Sequence, residues 1–217
     1  MSEDFRSEPK VKEWISTVKN AGCRLASLDP LHLIHKRNGE LLFGLFRTEI
    51  RDPDEHPLPE IVLIRGHACV IVPMVRNRDT GEERFVMIRQ WRTGSGLLSL
   101  EFPAGMVDRE SDPTLVAVRE LQEETGLTVK RQEVHPLTDK LLYTSAGLQD
   151  EGIYFYGCLV ELEAAEYASL ENRLTGAEHE EEHITVTLKT REQGEAETTS
   201  AQVRLGFFLF EKFLASR

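Results

Sequence analysis

Gly105-Met-Val-Asp-Arg-Glu-Ser-Asp-Pro-Thr-Leu-Val-Ala-Val-Arg119-Glu120-Leu121-Gln122-Glu123-Glu124-Thr125-Gly126-Leu127 is the stretch whose spacing bears on both fold and chemistry. Pro113 suits the first turn of a helix, Ser111 or Asp112 can cap it, and Gly126 stands where a left-handed C-terminal residue is wanted. The spacing therefore predicts a helix over 113–125. Glu124 is four residues from Glu120 and Glu123 is three from it, so all three carboxylates are expected on one side, each within about 6 Å of a neighbour. Like charges so placed weaken an isolated helix, and a hard divalent cation that takes oxygen ligands would compensate. Arg119 can reach a carboxylate and fix it. Leu115, Val118 and Leu121 are expected to bury the opposite side. A glutamate-rich helix by itself reads as a solvated surface element, so the flanking residues must decide.

Upstream, Cys69–Val75 and Arg84–Trp91 read as strands around an Asp79-Thr80-Gly81 turn, and Leu97–Phe102 as a third. Trp91 has two readings, a stacking surface for a purine and a buried strand aromatic, the second favoured. Toward the N-terminus, Val11, Trp14, Ile15 and Val18 recur at helical spacing over 10–20. Asn38-Gly39 is a hairpin signal between strands at 31–36 and 41–51, and 52–59, rich in proline and charge, reads as a loop. Downstream, strands are expected at 152–162 and 183–189 and a last helix at 202–215. Strands and helices interleave without a repeated βαβ unit, which indicates a mixed α+β or α/β sandwich. Residues 1–60 look too thin for a core of their own.

Composition narrows the classes. A chain of 217 residues suffices for one domain with a small extension, without a disulfide or structural metal. The net charge of −11 argues against bulk nucleic acid as a partner but not against a small anion whose charge a bound cation offsets. No stretch approaches the roughly 20 apolar residues of a membrane span, and no membrane partner is expected. Cys23, Cys69 and Cys158 show no C-x-x-C pairing and read as buried, reduced thiols. The acidic, polar opening Met1–Phe5 resembles neither a secretory signal nor a transit peptide, so a cytoplasmic location is expected. His179 and His183 lack an evident third ligand, and no transition-metal site is expected there.

The quoted stretch resembles the Nudix box, G-x5-E-x7-R-E-U-x-E-E-x-G-U with U aliphatic. Gly105, Arg119, Glu120, Glu123, Glu124 and Gly126 fill six of its seven fixed letters, and Leu121 and Leu127 fill both U positions. At about 7% per letter, six coincident matches arise on the order of once in 10⁷ windows, which rules against chance. The first Glu of the box falls on Ser111, with Glu110 one residue earlier. Ile88-Arg-Gln-Trp-Arg92-Thr-Gly and Leu100-Glu101-Phe-Pro-Ala104-Gly105-Met are similar to the region before the box in ADP-ribose and ADP-sugar diphosphatases. Leu63-Ile-Arg65-Gly66 and the N-terminal portion are similar to the plant-type enzymes.

The resemblance implies a Nudix fold: α+β, an α/β/α sandwich with a mixed sheet and a small N-terminal β-rich extension. Residues 1–60 would be a dimerisation element and 61–217 the hydrolase domain. It further implies magnesium, with manganese as an alternative, bound by the Ala104 carbonyl, Glu120, Glu123 and Glu124. Glu123 and Glu124 would take part in catalysis, with Glu182 as the water-orienting or general-base residue and Glu180 in reserve. Arg92 and Glu101 would contact substrate, and Arg47 would reach the partner subunit's substrate in a homodimer. The implied reaction is hydrolysis of the diphosphate bond of ADP-ribose or ADP-glucose to AMP and a sugar phosphate. The alternatives are a UDP-sugar diphosphatase and a non-catalytic module that binds nucleotide-sugars.

Overall fold

A computed structural model describes residues 5–107, 112–176 and 183–217. After a single 3-10 turn at Phe5–Ser7 come α1 (Pro9–Asn20), β1 (Arg24–His35), β2 (Leu41–Arg51) and β3 (Ile61–Ile64). Next follow β4 (His67–Asn77), β5 (Glu83–Arg92), β6 (Leu97–Glu101), β7 (Ala104–Val107) and α2 (Pro113–Thr125). The chain continues with β8 (His135–Pro136), β9 (Leu142–Tyr143), β10 (Gly152–Leu162), α3 (Ala164–Ala168), β11 (Leu174–Thr175) and β12 (Ile184–Lys189). Two helices, α4 (Arg191–Glu197) and α5 (Ala201–Ala215), end it. The described residues fall into two compact units: 5–68, 106–107 and 142–153 in the first, and the remainder in the second.

In the first unit β1, β2 and β3 form an antiparallel sheet in that order. The β1–β2 turn follows the Asn38-Gly39 signal, with Gly39 at φ 88°, where a side chain would be strained. Contrary to expectation, this region has an apolar centre: Val11, Leu28, Leu41, Phe46 and Ile64 are buried together, with Phe5, Trp14 and Ile15 packed against them. The core arises because α1 lays its apolar stripe on the inner face of the hairpin, so neither element must bury its own surface.

The second unit is built on a sheet of order β11-β12-β5-β4-β10-β8, with β6 beside β5. β4 is buried at eight successive positions from Ala68 to Val75, without alternation. Such a strand is covered on both faces, which its continuous Cys-Val-Ile-Val-Pro-Met-Val run anticipates. Phe207 and Phe210 of α5 meet Phe85 edge-on at 4.9 and 5.6 Å, and Phe102 stands 5.0 Å from Phe207. α2 packs against β5, β11 and β12. The fold is mixed α+β, as the interleaved pattern indicates. Residues 113–125 and 152–162 form their elements with the expected bounds, whereas β1 begins seven residues before 31.

Candidate active site

The helix α2 is fixed at both ends. Asp112 caps its start, accepting a hydrogen bond from the Thr114 amide at 2.9 Å, and Pro113 fills the first turn. The Arg131 guanidinium at 2.7 Å, with that amide, holds the Asp112 carboxyl below the usual carboxylate range. At the other end Gly126 adopts φ 76° and returns its N–H to the Gln122 carbonyl. Thr175 Oγ1 donates to the Glu124 carbonyl at 2.5 Å and Arg173 to the Thr125 carbonyl at 3.2 Å. Carbonyls that the helix leaves without a donor thus find one on β11 and just before it, and Arg173 adds positive charge at the negative end of the dipole. Nothing in the sequence around Arg173 and Thr175 signals this; it needs the pairing of β11 with β12 to bring them there.

The carboxylates are arranged differently from expectation. The buried stripe of α2 is Val116, Ala117, Leu121, Glu124 and Thr125, while Leu115 is exposed. Glu124 therefore sits on the buried face, three residues beyond Leu121 and seven beyond Ala117, and only 4% of it is exposed. Its Oε2 accepts the backbone N–H of Ala104 at 2.9 Å. Glu120, one turn earlier, lies over Gly105 so closely that a Cβ there would overlap its Cγ, Cδ and Oε1. Arg119 donates to Glu120 Oε1 at 2.8 Å and approaches Glu123 Oε2 at 3.7 Å. Glu123, about 100° around the helix from Glu124, has 45% of its side chain exposed. Two carboxylates thus converge on Ala104 and Gly105 at the start of β7, and the third faces solvent beside Arg119.

Cys69 registers the same convergence. Burial above all, opposed by a backbone hydrogen bond from Gly105 and aided by the negative fields of Glu120 and Glu124, pushes its thiol up to about 12. This matches the expected inert role, as does Cys158, raised to about 12 by burial. Cys23 is only half-buried.

Arg92 and Glu101 form a forked ion pair on neighbouring strands: Nε to Oε1 at 3.0 Å and Nη2 to Oε2 at 2.7 Å. Glu101 leads directly into Phe102-Pro103-Ala104, and the Pro103 carbonyl accepts the Ile71 amide at 2.9 Å, which ties that approach to β4. Arg47 stands exposed on β2 of the first unit, in register with Asp29. Trp91 is 73% exposed, not a buried strand aromatic, because it occupies the end of β5 opposite Leu98, which is itself exposed. Glu182, Glu180, His179, Glu110 and Ser111 lie outside the described residues.

No three His, Cys, Asp or Glu side chains form a ready-made metal cluster among the described residues. Glu120 and Glu124 nevertheless approach the adjacent residues Gly105 and Ala104 at the start of β7. Magnesium is usually held by one or two carboxylates, retained water and the phosphates of its substrate. The residues present fit that mode, in which the diphosphate completes the coordination.

Comparison with known proteins identifies the family. The NUDIX domain profile matches residues 66–204. Over 97% of this chain and 73% of the relative, the sequence is 30% identical to Nudix hydrolase 14, chloroplastic, of Arabidopsis thaliana. It is 35% identical to ADP-ribose pyrophosphatase of Bacillus subtilis over 36% of this chain and 40% of that protein. With ADP-sugar pyrophosphatase of Mus musculus it shares 35% identity over 32% of this chain and 31% of that protein. A crystal structure of an ADP compounds hydrolase superposes with a TM-score of 0.59 at 16% identity, covering 89% of this chain and 95% of that one, which establishes a common fold. With its profile match spanning most of the sequence and the box helix set against the start of β7 at Ala104, the chain belongs to the Nudix family.

Proposed function

We propose that this protein hydrolyses the diphosphate bond of ADP-sugars such as ADP-ribose and ADP-glucose, with magnesium, giving AMP and a sugar phosphate. The convergence of Glu120 and Glu124 on Ala104 and Gly105 at the start of β7 carries this reading. The names of two relatives, ADP-ribose pyrophosphatase and ADP-sugar pyrophosphatase, support the substrate class.

A diphosphate resists attack because its oxygens repel a nucleophile. A bound divalent cation supplies charge neutralisation and an acidified water when present. Glu120 and Glu124 would hold it, with the Ala104 carbonyl as the further ligand implied by the family pattern. Arg119 restrains Glu120, so the carboxylate is held in place before substrate arrives. The Ala104 amide restrains Glu124 in the same way. Arg92, paired with Glu101 and 44% exposed at its side chain, can exchange that partner for a phosphate oxygen with the same fork. The role of orienting the attacking water is assigned to Glu182 from the sequence alone.

A panel of ADP-ribose, ADP-glucose, UDP-glucose and a dinucleoside polyphosphate, with magnesium or manganese, tests the reading through phosphate release coupled to a phosphatase. ADP-ribose or ADP-glucose should turn over fastest. Faster UDP-glucose cleavage would replace the base assignment, and absence of turnover throughout would favour a nucleotide-sugar-binding module. We also propose a homodimer joined through the N-terminal unit, with Arg47 reaching the partner's substrate; a monomer in sedimentation would remove both.

A further inference from the structure

The first unit contains a recess of about 200 Å³ that shares no residue with the candidate active site. At ~30 Å³ per water it holds about seven waters, the space of a small organic molecule and not of a nucleotide-sugar. Glu13, Trp14 and Thr17 of α1 line one side; His67, Tyr143 and Asp150 line the other. We propose that this recess binds a small organic cation, a quaternary or protonated amine, between aromatic walls and two carboxylates.

Three features point to a cation. The first is ring geometry. His67 and Tyr143 stand at 82° with centroids 6.4 Å apart, so they form a corner. A corner wraps a compact rounded group, whereas a flat heterocycle would call for parallel faces. The half-buried Trp14, anchored on the apolar core by packing against it, supplies the third aromatic group.

The second is charge. Glu13 and Asp150 both border the recess, and among the described residues no Lys or Arg lines it. The nearby cationic side chains are committed elsewhere. Lys10 Nζ donates to the Leu42 and Arg65 carbonyls, and the Arg65 guanidinium pairs with Glu151 at 3.1 Å. Tyr143 feels this environment: its phenol is shifted up by burial first, then by the charges of Asp150 and Glu13. An anionic ligand would meet the same repulsion.

The third is preorganisation. Asp150 is buried and pinned by the Arg65 and Gly66 amides at 2.8 and 3.2 Å. The Gly152 N–H donates to His67 Nδ1 at 3.1 Å, which places the neutral ring's proton on Nε2, 3.5 Å from Glu13 Oε1. The walls and the buried carboxylate are therefore fixed without a ligand.

The test uses the two-tryptophan chain with Trp91→Phe, so that emission reports Trp14 alone. Choline and its neutral isostere 3,3-dimethylbutan-1-ol are titrated at constant ionic strength. Choline should produce a saturable change with a dissociation constant in the millimolar range, and the alcohol should bind at least about tenfold more weakly. Tyr143→Leu removes a ring face but keeps an apolar wall, and Glu13→Gln removes an exposed charge. Each should weaken choline by about fivefold, with melting temperatures unchanged. A response that does not saturate, is matched by the alcohol, or is the same in both variants would overturn the proposal. None of these readouts depends on hydrolase activity, so the failure of either reading leaves the other standing.

Discussion

Replacing Glu124 with glutamine separates what this side chain does for the fold from what it does for chemistry. Glu124 is 4% exposed, and its Oε2 accepts the Ala104 amide at 2.9 Å. Glutamine preserves the volume and one carbonyl oxygen for that amide. Hydrogen bonds to charged acceptors contribute about 1.5–3 kcal/mol against about 1 for neutral ones, so roughly 1 kcal/mol is lost. Burying an amide costs less than burying a carboxylate, which offsets part of this loss. The melting temperature should then fall by no more than about 2–4 °C in a chain of this size. Activity answers to charge: removing one preorganised charge-stabilising group from an enclosed site costs on the order of 10²–10³-fold in kcat. The assay is magnesium-dependent release of AMP from ADP-ribose, alongside thermal melting of the same preparations. A variant that melts like the wild type and keeps activity within about threefold would show that the Glu124 charge plays no part in turnover, since the loss expected of such a group is far larger. A variant that unfolds would show that the charge serves the fold.

Gly105→Ala places a methyl group where Glu120 now lies, so the carboxylate must move. Turnover should drop by about tenfold or more while overpacking costs about 1–3 kcal/mol, read by kinetics and melting together. Gly126→Ala puts a side chain at φ 76° and against Nη1 of Arg173. Strain alone should cost about 1–2 kcal/mol in denaturant unfolding. Asp112 is held below the usual carboxylate range by Arg131 and the Thr114 amide, so its contribution is present above the unfolded value of about 3.9. That contribution disappears as pH falls through the depressed folded value. Asp112→Asn should accordingly melt lower than wild type at neutral pH, with the gap closing in strong acid; a gap independent of pH would count against this ion pair. Arg119→Ala removes a half-exposed side chain and should cost at most about 1 kcal/mol of stability. Its effect on kcat/KM should be larger than that stability loss predicts, because Glu120 is released.

The sequence made α2 legible because its punctuation is local: Asp112, Pro113 and Gly126 each act within one turn. It did not reveal which carboxylate is buried. Helical spacing sets angles between Glu120, Glu123 and Glu124, but the face presented to the sheet depends on what packs against it, and Val116 and Ala117 go inward where Leu115 was expected. Size was a poor guide at that contact: the larger Leu115 stays in solvent. β8, β9 and β11 are two residues long and carry no periodicity, so the clamp from Arg173 and Thr175 onto α2 had no local signature. The Arg92–Glu101 pair spans nine residues and joins β5 to β6 through side chains alone, since the register sets Glu101 opposite Ile88 and Arg92 opposite Leu97, so no local spacing signals it. The core of the first unit escaped notice because Ile64 and Val62, which help close it, lie beyond residue 60.

On the proposed reading, Glu120 and Glu124, gathered at the start of β7, hold a divalent cation together with a diphosphate. Crystals of the Glu124 wild-type chain soaked with manganese and a non-hydrolysable ADP-ribose analogue would locate that ion by its anomalous scattering. A peak is expected at about 2.0–2.3 Å from a carboxylate oxygen of both residues and from a phosphate oxygen of the analogue. A bound analogue whose metal lies away from Ala104 and Gly105, or whose diphosphate is gripped by arginines alone, would remove Glu120 and Glu124 from metal binding.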